Sequence, residues 1–125
     1  MSYASREVVT VTTDTNGDAT AYSGVVTGKL SQIRWVKPGS GGITGATFAI
    51  TAEATGETLW GEASISASAT RAPRQATHTT DGAASLYAAA GVAVNDKIAL
   101  ANDRVKIVVS GGGSVLTGTF HIVLE

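Results

Sequence analysis

The stretch Val-Lys-Ile-Val-Val-Ser-Gly-Gly-Gly-Ser-Val-Leu-Thr-Gly-Thr-Phe-His-Ile-Val-Leu at residues 105–124 decides the fold class. On both sides of its three glycines, large apolar side chains recur at every second position: Val105, Ile107, Val109, Phe120, Ile122 and Leu124. That period is typical of strands with one buried face, and a glycine run favours a turn. The stretch therefore predicts a β-hairpin with its turn at residues 111–113.

A second hairpin is predicted near the N-terminus, around Asn16-Gly17. This dipeptide is the strongest short hairpin signal because both of its turn positions need positive φ. Residues 6–13 precede it with alternating valines and threonines, and residues 19–24 follow it as the returning strand.

Three more strands are predicted at 28–37, 47–52 and 57–62, where apolar and polar residues alternate. A turn at Ala54-Thr55-Gly56 joins the last two. The next stretch, 63–80, is rich in Ala, Ser and Thr and contains Pro73, which disfavours a central strand, so we expect a long irregular connection. Residues 81–90 are compatible with one short helix that begins near Asp81 and ends at Gly91.

These patterns predict one all-β domain over residues 1–125. We expect an antiparallel β-sandwich or a jelly-roll-like barrel of about seven or eight strands. A short N-terminal arm, residues 1–7, precedes the first strand in this interpretation. The length of 125 residues suits a single domain.

Composition narrows the classes of function. A net charge of −1 supplies no basic excess for a phosphate backbone, so nucleic-acid binding is disfavoured. No apolar run approaches the roughly 20 residues of a membrane span, and the N-terminus lacks the pattern of a signal peptide. We therefore expect a soluble protein made in the cytoplasm. Charged residues are only 15%, which indicates a neutral surface or one covered by partners.

The search for reactive groups predicts no enzyme, no cofactor and no metal. The chain has no cysteine, and its two histidines, His78 and His121, are isolated without ligand spacing. Glu53, Glu57 and Glu62 could form the carboxylate pair of a small hydrolase, but two of them flank the predicted hairpin turn.

A platform of aromatic residues is another alternative. If Trp35, Trp60 or Tyr87 were exposed in a shallow groove, the chain could be a carbohydrate-binding or host-adhesion module. Aromatic residues make up only 6% of the chain, and most of them should lie in the core or at interfaces.

Arg71 and Arg74 stand in an otherwise neutral segment. Arginine is enriched at protein interfaces because its planar guanidinium pairs with carboxylates through two hydrogen bonds. Two solubilising charges on an exposed loop would give the same pattern, and the sequence leaves both interpretations open.

Three stretches carry a resemblance that spans nearly the whole chain: Val-Thr-Val-Thr-Thr-Asp-Thr-Asn-Gly-Asp-Ala-Thr-Ala-Tyr-Ser (9–23), Ile-Thr-Ala-Glu-Ala-Thr-Gly-Glu-Thr-Leu-Trp (50–60) and Asn-Asp-Arg-Val-Lys-Ile-Val-Val (102–109). They resemble small structural proteins of tailed bacteriophages and prophages, some of which look like head decoration, or cement, proteins. The resemblance implies a β-rich module that sits on the outer capsid surface and bridges neighbouring subunits.

The expected function is therefore a capsid decoration protein in the virion, with a tail-associated structural or adhesion module as the alternative. The expected partners are the major capsid protein and further copies of the chain, as a trimer in preference to a dimer. The candidate interface residues are Tyr3, Arg6, Arg71, Arg74, His78 and Tyr87.

Overall fold

The computed structural model describes residues 4–125, which form two antiparallel sheets packed face to face. The strands are β1 (Ser5–Thr12), β2 (Ala19–Tyr22), β3 (Val26–Val36), β4 (Ala46–Ala52), β5 (Thr58–Ile65), β6 (Ala69–Arg71), β7 (Arg74–Ala76), β8 (Asn95–Asp103), β9 (Val105–Ser110) and β10 (Thr117–Leu124). The predicted β-sandwich is confirmed, and the sheets do not close into a barrel. Nowhere in residues 4–125 is there a helix that could cross a membrane.

The larger sheet has the order β1-β10-β3-β8-β7, and the smaller sheet has the order β2-β9-β4-β5. In the larger sheet, β10 occupies one edge of the long strand β3. The opposite edge of β3 is shared, since β8 pairs with residues 26–30 and β6 with residues 33–35. This division leaves β5 at the margin of one sheet and β6 near the margin of the other.

Both glycine turns exist, but neither of the two hairpins predicted around them forms. The strands that flank Asn16-Gly17 lie in different sheets: β1 pairs with β10, and β2 pairs with β9. The strands that flank residues 111–113 are separated in the same way. Residues 5–22 and 105–124 therefore form one two-stranded ribbon, which bends so that half of it lies in each sheet.

Close backbone contacts between the two glycine turns hold this bend. Gly112 N–H donates to the carbonyl of Gly17 at 2.8 Å, and Thr13 Oγ1 donates to the carbonyl of Gly113 at 2.7 Å. Gly17 has φ +83°, and a Cβ built on it would lie 2.9 Å from the amide nitrogen of Gly113. Only glycine fits there, because the left-handed conformation and the close approach both exclude a side chain.

The core between the sheets is organised around four aromatic rings. Trp35 and Phe120 project from the larger sheet, and Phe48 and Trp60 project from the smaller one. The ring centroids of Trp35 and Phe120 are 4.7 Å apart, and those of Phe48 and Trp60 are 5.2 Å apart. Gly118 on β10 makes room for the Trp35 indole, since a Cβ at that position would lie 1.8 Å from it.

Other predictions have mixed outcomes. The β4–β5 hairpin around Gly56 is confirmed. The connection 63–80 contains the end of β5 and the short strands β6 and β7, and residues 5–7 of the predicted arm belong to β1.

The predicted helix at 81–90 is wrong. Gly82 and Ala90 both have positive φ, +86° and +57°, which no right-handed helix accommodates. The segment is instead a loop of turns with isolated bridges.

Gly17→Ala should destabilise the protein more than Gly111→Ala does. Both glycines have positive φ, so each substitution costs about 1 kcal/mol or somewhat more in backbone strain. A Cβ at Gly111 meets open space, whereas one at Gly17 meets the backbone of Gly113. Urea unfolding of the two variants measures the difference, and equal losses would show that the contact between the turns is unimportant.

Candidate functional site

The candidate site is the β5–β6 cleft, which we define as the open margin of the sandwich between β5, residues 66–68 and β6–β7. Glu62 on β5 pairs in register with buried Phe48, and Arg71 on β6 pairs with buried Ile33. Cross-strand partners share a face of the sheet, so both charged side chains point inward, towards the opposite sheet. They meet across the margin.

Glu62 and Arg71 form a two-pronged ion pair that links the sheets. Arg71 Nε donates to Glu62 Oε1 and Arg71 Nη2 donates to Glu62 Oε2, each at 2.8 Å. Trp60 Nε1 donates to the same Oε1 at 3.0 Å, and the Arg71 guanidinium lies 5.7 Å from the Trp60 ring centroid. The hydrogen bonds from Arg71, followed by that from Trp60, lower the pKa of Glu62 to about 2. The carboxylate therefore stays ionised in all but strong acid.

The ion pair divides the cleft into two hollows. One, of about 330 Å³, has an apolar floor that includes Leu59, Trp60 and Ile98, with Arg71 and Arg74 at its rim. The other, of about 450 Å³, is lined by Glu62, Arg71 and the Ser/Ala-rich stretch 64–69. Both are open to solvent, and apolar floors with convergent polar groups are typical of ligand and peptide sites.

Arg71 and Arg74 are both engaged within the molecule. Arg71 holds Glu62, and Arg74 Nη1 donates to the carbonyls of Ser31 and Pro73 at 3.0 and 2.8 Å. Neither arginine is a loose charge on a disordered loop. Their remaining N–H groups face solvent, because both residues are exposed.

The second element of the site is the β7–β8 loop, residues 77–94, which leaves the sheet margin after β7. Three backbone hydrogen bonds close its base as a ring: Thr77 N–H to Val94, Ser85 N–H to Thr77, and Val94 N–H to Ser85, at 2.8 to 3.0 Å. The carboxylate of Asp81 accepts from the Thr79 hydroxyl and the Ala83 amide, which lowers the pKa of Asp81. These bonds give the loop a defined shape.

The far end of this loop carries an exposed apolar patch made of Leu86, Tyr87 and Val92. Tyr87 and Val92 are each 75% exposed, and Leu86 is 42% exposed. Tyr87 N–H donates to the carbonyl of Val92 at 3.0 Å, which keeps the two residues together. His78, near the base, is exposed and bridges to Ala84. Two predicted interface residues, His78 and Tyr87, therefore share this loop.

The other predicted interface residues lie elsewhere. Arg6 is on the outer face of β1, separated from β6 by β10 and β3. Tyr3 lies outside the described residues. The register places Arg6 near Arg34 and His121 instead, a grouping that the sequence analysis missed. The alternation along each strand gives the outward faces, but only the strand order reveals that they are neighbours.

The residues of the two alternative sites, the aromatic platform and the carboxylate pair, do not come together on the surface. Trp35 and Trp60 are buried, which leaves only Tyr87 exposed among the three candidate sugar-stacking residues. Glu53 is paired with Arg104. Glu57 and Glu62 are separated by roughly 16 Å of extended chain, which exceeds the 5–10 Å between paired catalytic carboxylates. Within residues 4–125, no three His, Asp or Glu side chains cluster as metal ligands would.

Comparison of the chain with protein-family models, with curated proteins and with solved structures found no match.

Glu62→Gln should lower stability at neutral pH and have progressively less effect in acid. The pKa of Glu62 is lowered in the folded state, so its stabilising contribution is present above the unfolded value of 4.5 and is lost as pH falls towards about 2. The measurement is the urea midpoint of wild type and variant between pH 7 and pH 2. Glu57→Gln is the matched control, since Glu57 forms no ion pair with any residue of 4–125. A difference that stays constant with pH would contradict the assignment.

Proposed function

We propose that the chain is a non-catalytic binding module that docks onto a larger protein assembly through the β7–β8 loop. The observation that supports this most directly is the exposed Leu86–Tyr87–Val92 patch at the end of a loop whose base is closed by backbone hydrogen bonds. Apolar groups left in water on a shaped loop are typical of a surface that becomes buried in a complex.

Such a loop suits tight docking for two physical reasons. Burial of apolar area contributes roughly 25 cal/mol for each Å², and tyrosine is among the residues that dominate binding energy at interfaces. A loop already held in shape loses little conformational freedom on binding, so less of that energy is spent on ordering it. The hydrogen bonds of Thr77, Ser85, Val94 and Asp81 supply this preorganisation.

The assembly that we propose is a phage head, with the chain as a decoration protein on the major capsid protein. The resemblance of 9–23, 50–60 and 102–109 to small phage structural proteins supports the head. The low charge of 15% supports extensive burial against protein neighbours. In this proposal the sandwich is a rigid spacer, and bridging of neighbouring capsid subunits stabilises the shell.

Val92→Ser and Tyr87→Ser should weaken binding to capsids of the phage or prophage that encodes the chain. Each removes apolar area from the proposed contact, and we expect a loss of about tenfold in affinity. Val25→Ser is the matched control, because Val25 is 61% exposed but lies between β2 and β3, outside the loop. Co-sedimentation with purified capsids measures binding. Equal losses for Val25→Ser and Val92→Ser, or none for either loop variant, would contradict the proposal.

The self-association in this proposal, a trimer in preference to a dimer, is tested separately. Sedimentation equilibrium of the free chain gives the mass in solution, and electron microscopy of decorated capsids shows the copy number at each symmetry axis. A monomer in both settings would remove self-association from the proposal while leaving capsid binding to its own test.

A second candidate function, host adhesion through a glycan, is favoured by one observation, the 75% exposure of Tyr87. An exposed tyrosine ring can stack on a sugar ring as readily as on a protein side chain. Binding to a bacterial surface polysaccharide that Tyr87→Ser abolishes, with no binding to capsids, would favour adhesion over decoration.

A further inference from the structure

The outer face of the larger sheet gathers positive charge over its strands β1, β10 and β3. Val8 on β1, His121 on β10 and Arg34 on β3 are cross-strand neighbours in one row. Arg6 lies in the adjacent row, opposite Val123. A hollow of about 260 Å³ opens between them, lined by Arg6, Gln32, Arg34, Val36, His121 and Val123.

The side chains of Arg6 and Arg34 line two sides of this hollow. Adjacent strands lie about 4.8 Å apart and residues rise about 3.3 Å, so the Arg6 and Arg34 backbones, two strands and two residues apart, are separated by roughly 12 Å. Two long side chains that line one hollow can close most of that gap around a small group. The His121 imidazole lies between them on the intervening strand.

Unlike Arg71 and Arg104, the two arginines of this cluster have no carboxylate partner within residues 4–125. Arg71 is paired with Glu62 and Arg104 with Glu53, whereas neither Arg6 nor Arg34 has an ion pair within residues 4–125. The acids at the ends of β1 and β10 are directed elsewhere. Glu7 belongs to the opposite face of β1, against Gly24, and Glu125 holds Lys97.

One of the two arginines is already positioned. Arg34 Nη1 donates to the hydroxyl of Thr70 on β6 at 2.7 Å, on the side of β3 away from β10, and its Nε and Nη2 donate to no residue of 4–125. The side chains of Arg6, Gln32 and His121 make no hydrogen bond to any other described residue. The hollow thus presents several unused donors, and no carboxylate of residues 4–125 lines it.

We propose that this hollow binds an oxyanion, a carboxylate or a phosphate group, between the guanidinium groups of Arg6 and Arg34 and above His121. Arginine forks match the planar or tetrahedral arrangement of such oxygens through paired charge-assisted hydrogen bonds. Two arginine charges beside one hollow also attract an anion more strongly than isolated surface charges do. This site is distinct from the β7–β8 loop, so the proposal does not depend on the decoration function.

The test is a titration of the folded chain with two probes at constant ionic strength, followed by NMR of the arginine Nε–H and histidine signals. Inorganic phosphate represents a free ion, and the blocked tripeptide acetyl-Glu-Glu-Glu-amide represents carboxylates of a protein. Saturable shifts at Arg6, Arg34 and His121 with either probe support the site, and the tighter probe identifies the source. Absence of saturable shifts with both probes would overturn it.

Three variants that each remove one positive charge distinguish a specific anion site from nonspecific electrostatic attraction. Arg6→Gln and Arg34→Gln should each weaken binding of the better probe by about tenfold, because each removes a charge-assisted contact. Lys106→Gln removes one positive charge from the outer face of the smaller sheet and should change affinity by less than about twofold. Equal effects of all three substitutions would overturn the proposal.

A further variant controls for a structural effect of the substitution at Arg34. Thr70→Val keeps every charge but frees the Arg34 fork, so it should weaken binding by less than Arg34→Gln and leave the unfolding midpoint nearly unchanged. Because Arg6 and Arg34 are exposed, their substitutions should also leave that midpoint nearly unchanged. A loss of binding in Arg34→Gln that comes with an equally large fall of the unfolding midpoint would contradict a direct anion contact by Arg34.

Discussion

The hydrogen bond from Gly112 N–H to the carbonyl of Gly17 joins two bends of the chain into one corner, and both sheets depend on it. On one side of the corner, β1 runs beside β10 in the larger sheet. On the other side, β2 runs beside β9 in the smaller sheet. The corner determines the position of each half of the ribbon. It therefore also determines the distance between the two sheets, where the four aromatic rings pack. Val115 shows the constraint, since this branched residue adopts φ +51° there.

The alternation of side chains predicted the buried faces well but could not predict strand partners. Val9, Ile107, Phe120 and Ile122 are buried as the period of two requires. A hairpin and a crossover between sheets both need strands with a period of two, and both need positive φ at Gly17. The local sequence therefore does not distinguish a hairpin from a crossover. The helix expected at 81–90 failed for a related reason. Alanine content favoured it, while the turns at Gly82 and Ala90 follow from hydrogen bonds with residues 77–79 and 92–94.

The contact partners of the charged side chains depend on the order of the strands. The spacing of these residues along the chain does not reveal those partners. Glu62 and Arg71 meet because β5 and β6 lie in opposite sheets, and their inward orientation at a margin also discourages strand addition there. Arg6, Arg34 and His121 line one hollow because β10 lies between β1 and β3. The sequence identified Arg71 and Arg6 as noteworthy, yet their neighbours depend on strand order. The exposed Tyr87 was also singled out, and its loop is the segment least constrained by the core.

The pairing of the first strand with the last one affects how the chain folds during its synthesis. The strand that pairs with β1 is β10, so β1 emerges from the ribosome more than a hundred residues before its partner, as in the contact of Val11 with Thr117 at a separation of 106. At about 5 to 20 residues per second, β1 waits roughly 5 to 20 seconds. During that time its alternating valines and open backbone are available to any other chain. Such distant pairing also slows folding, and productive folding therefore favours dilute chains or a chaperone.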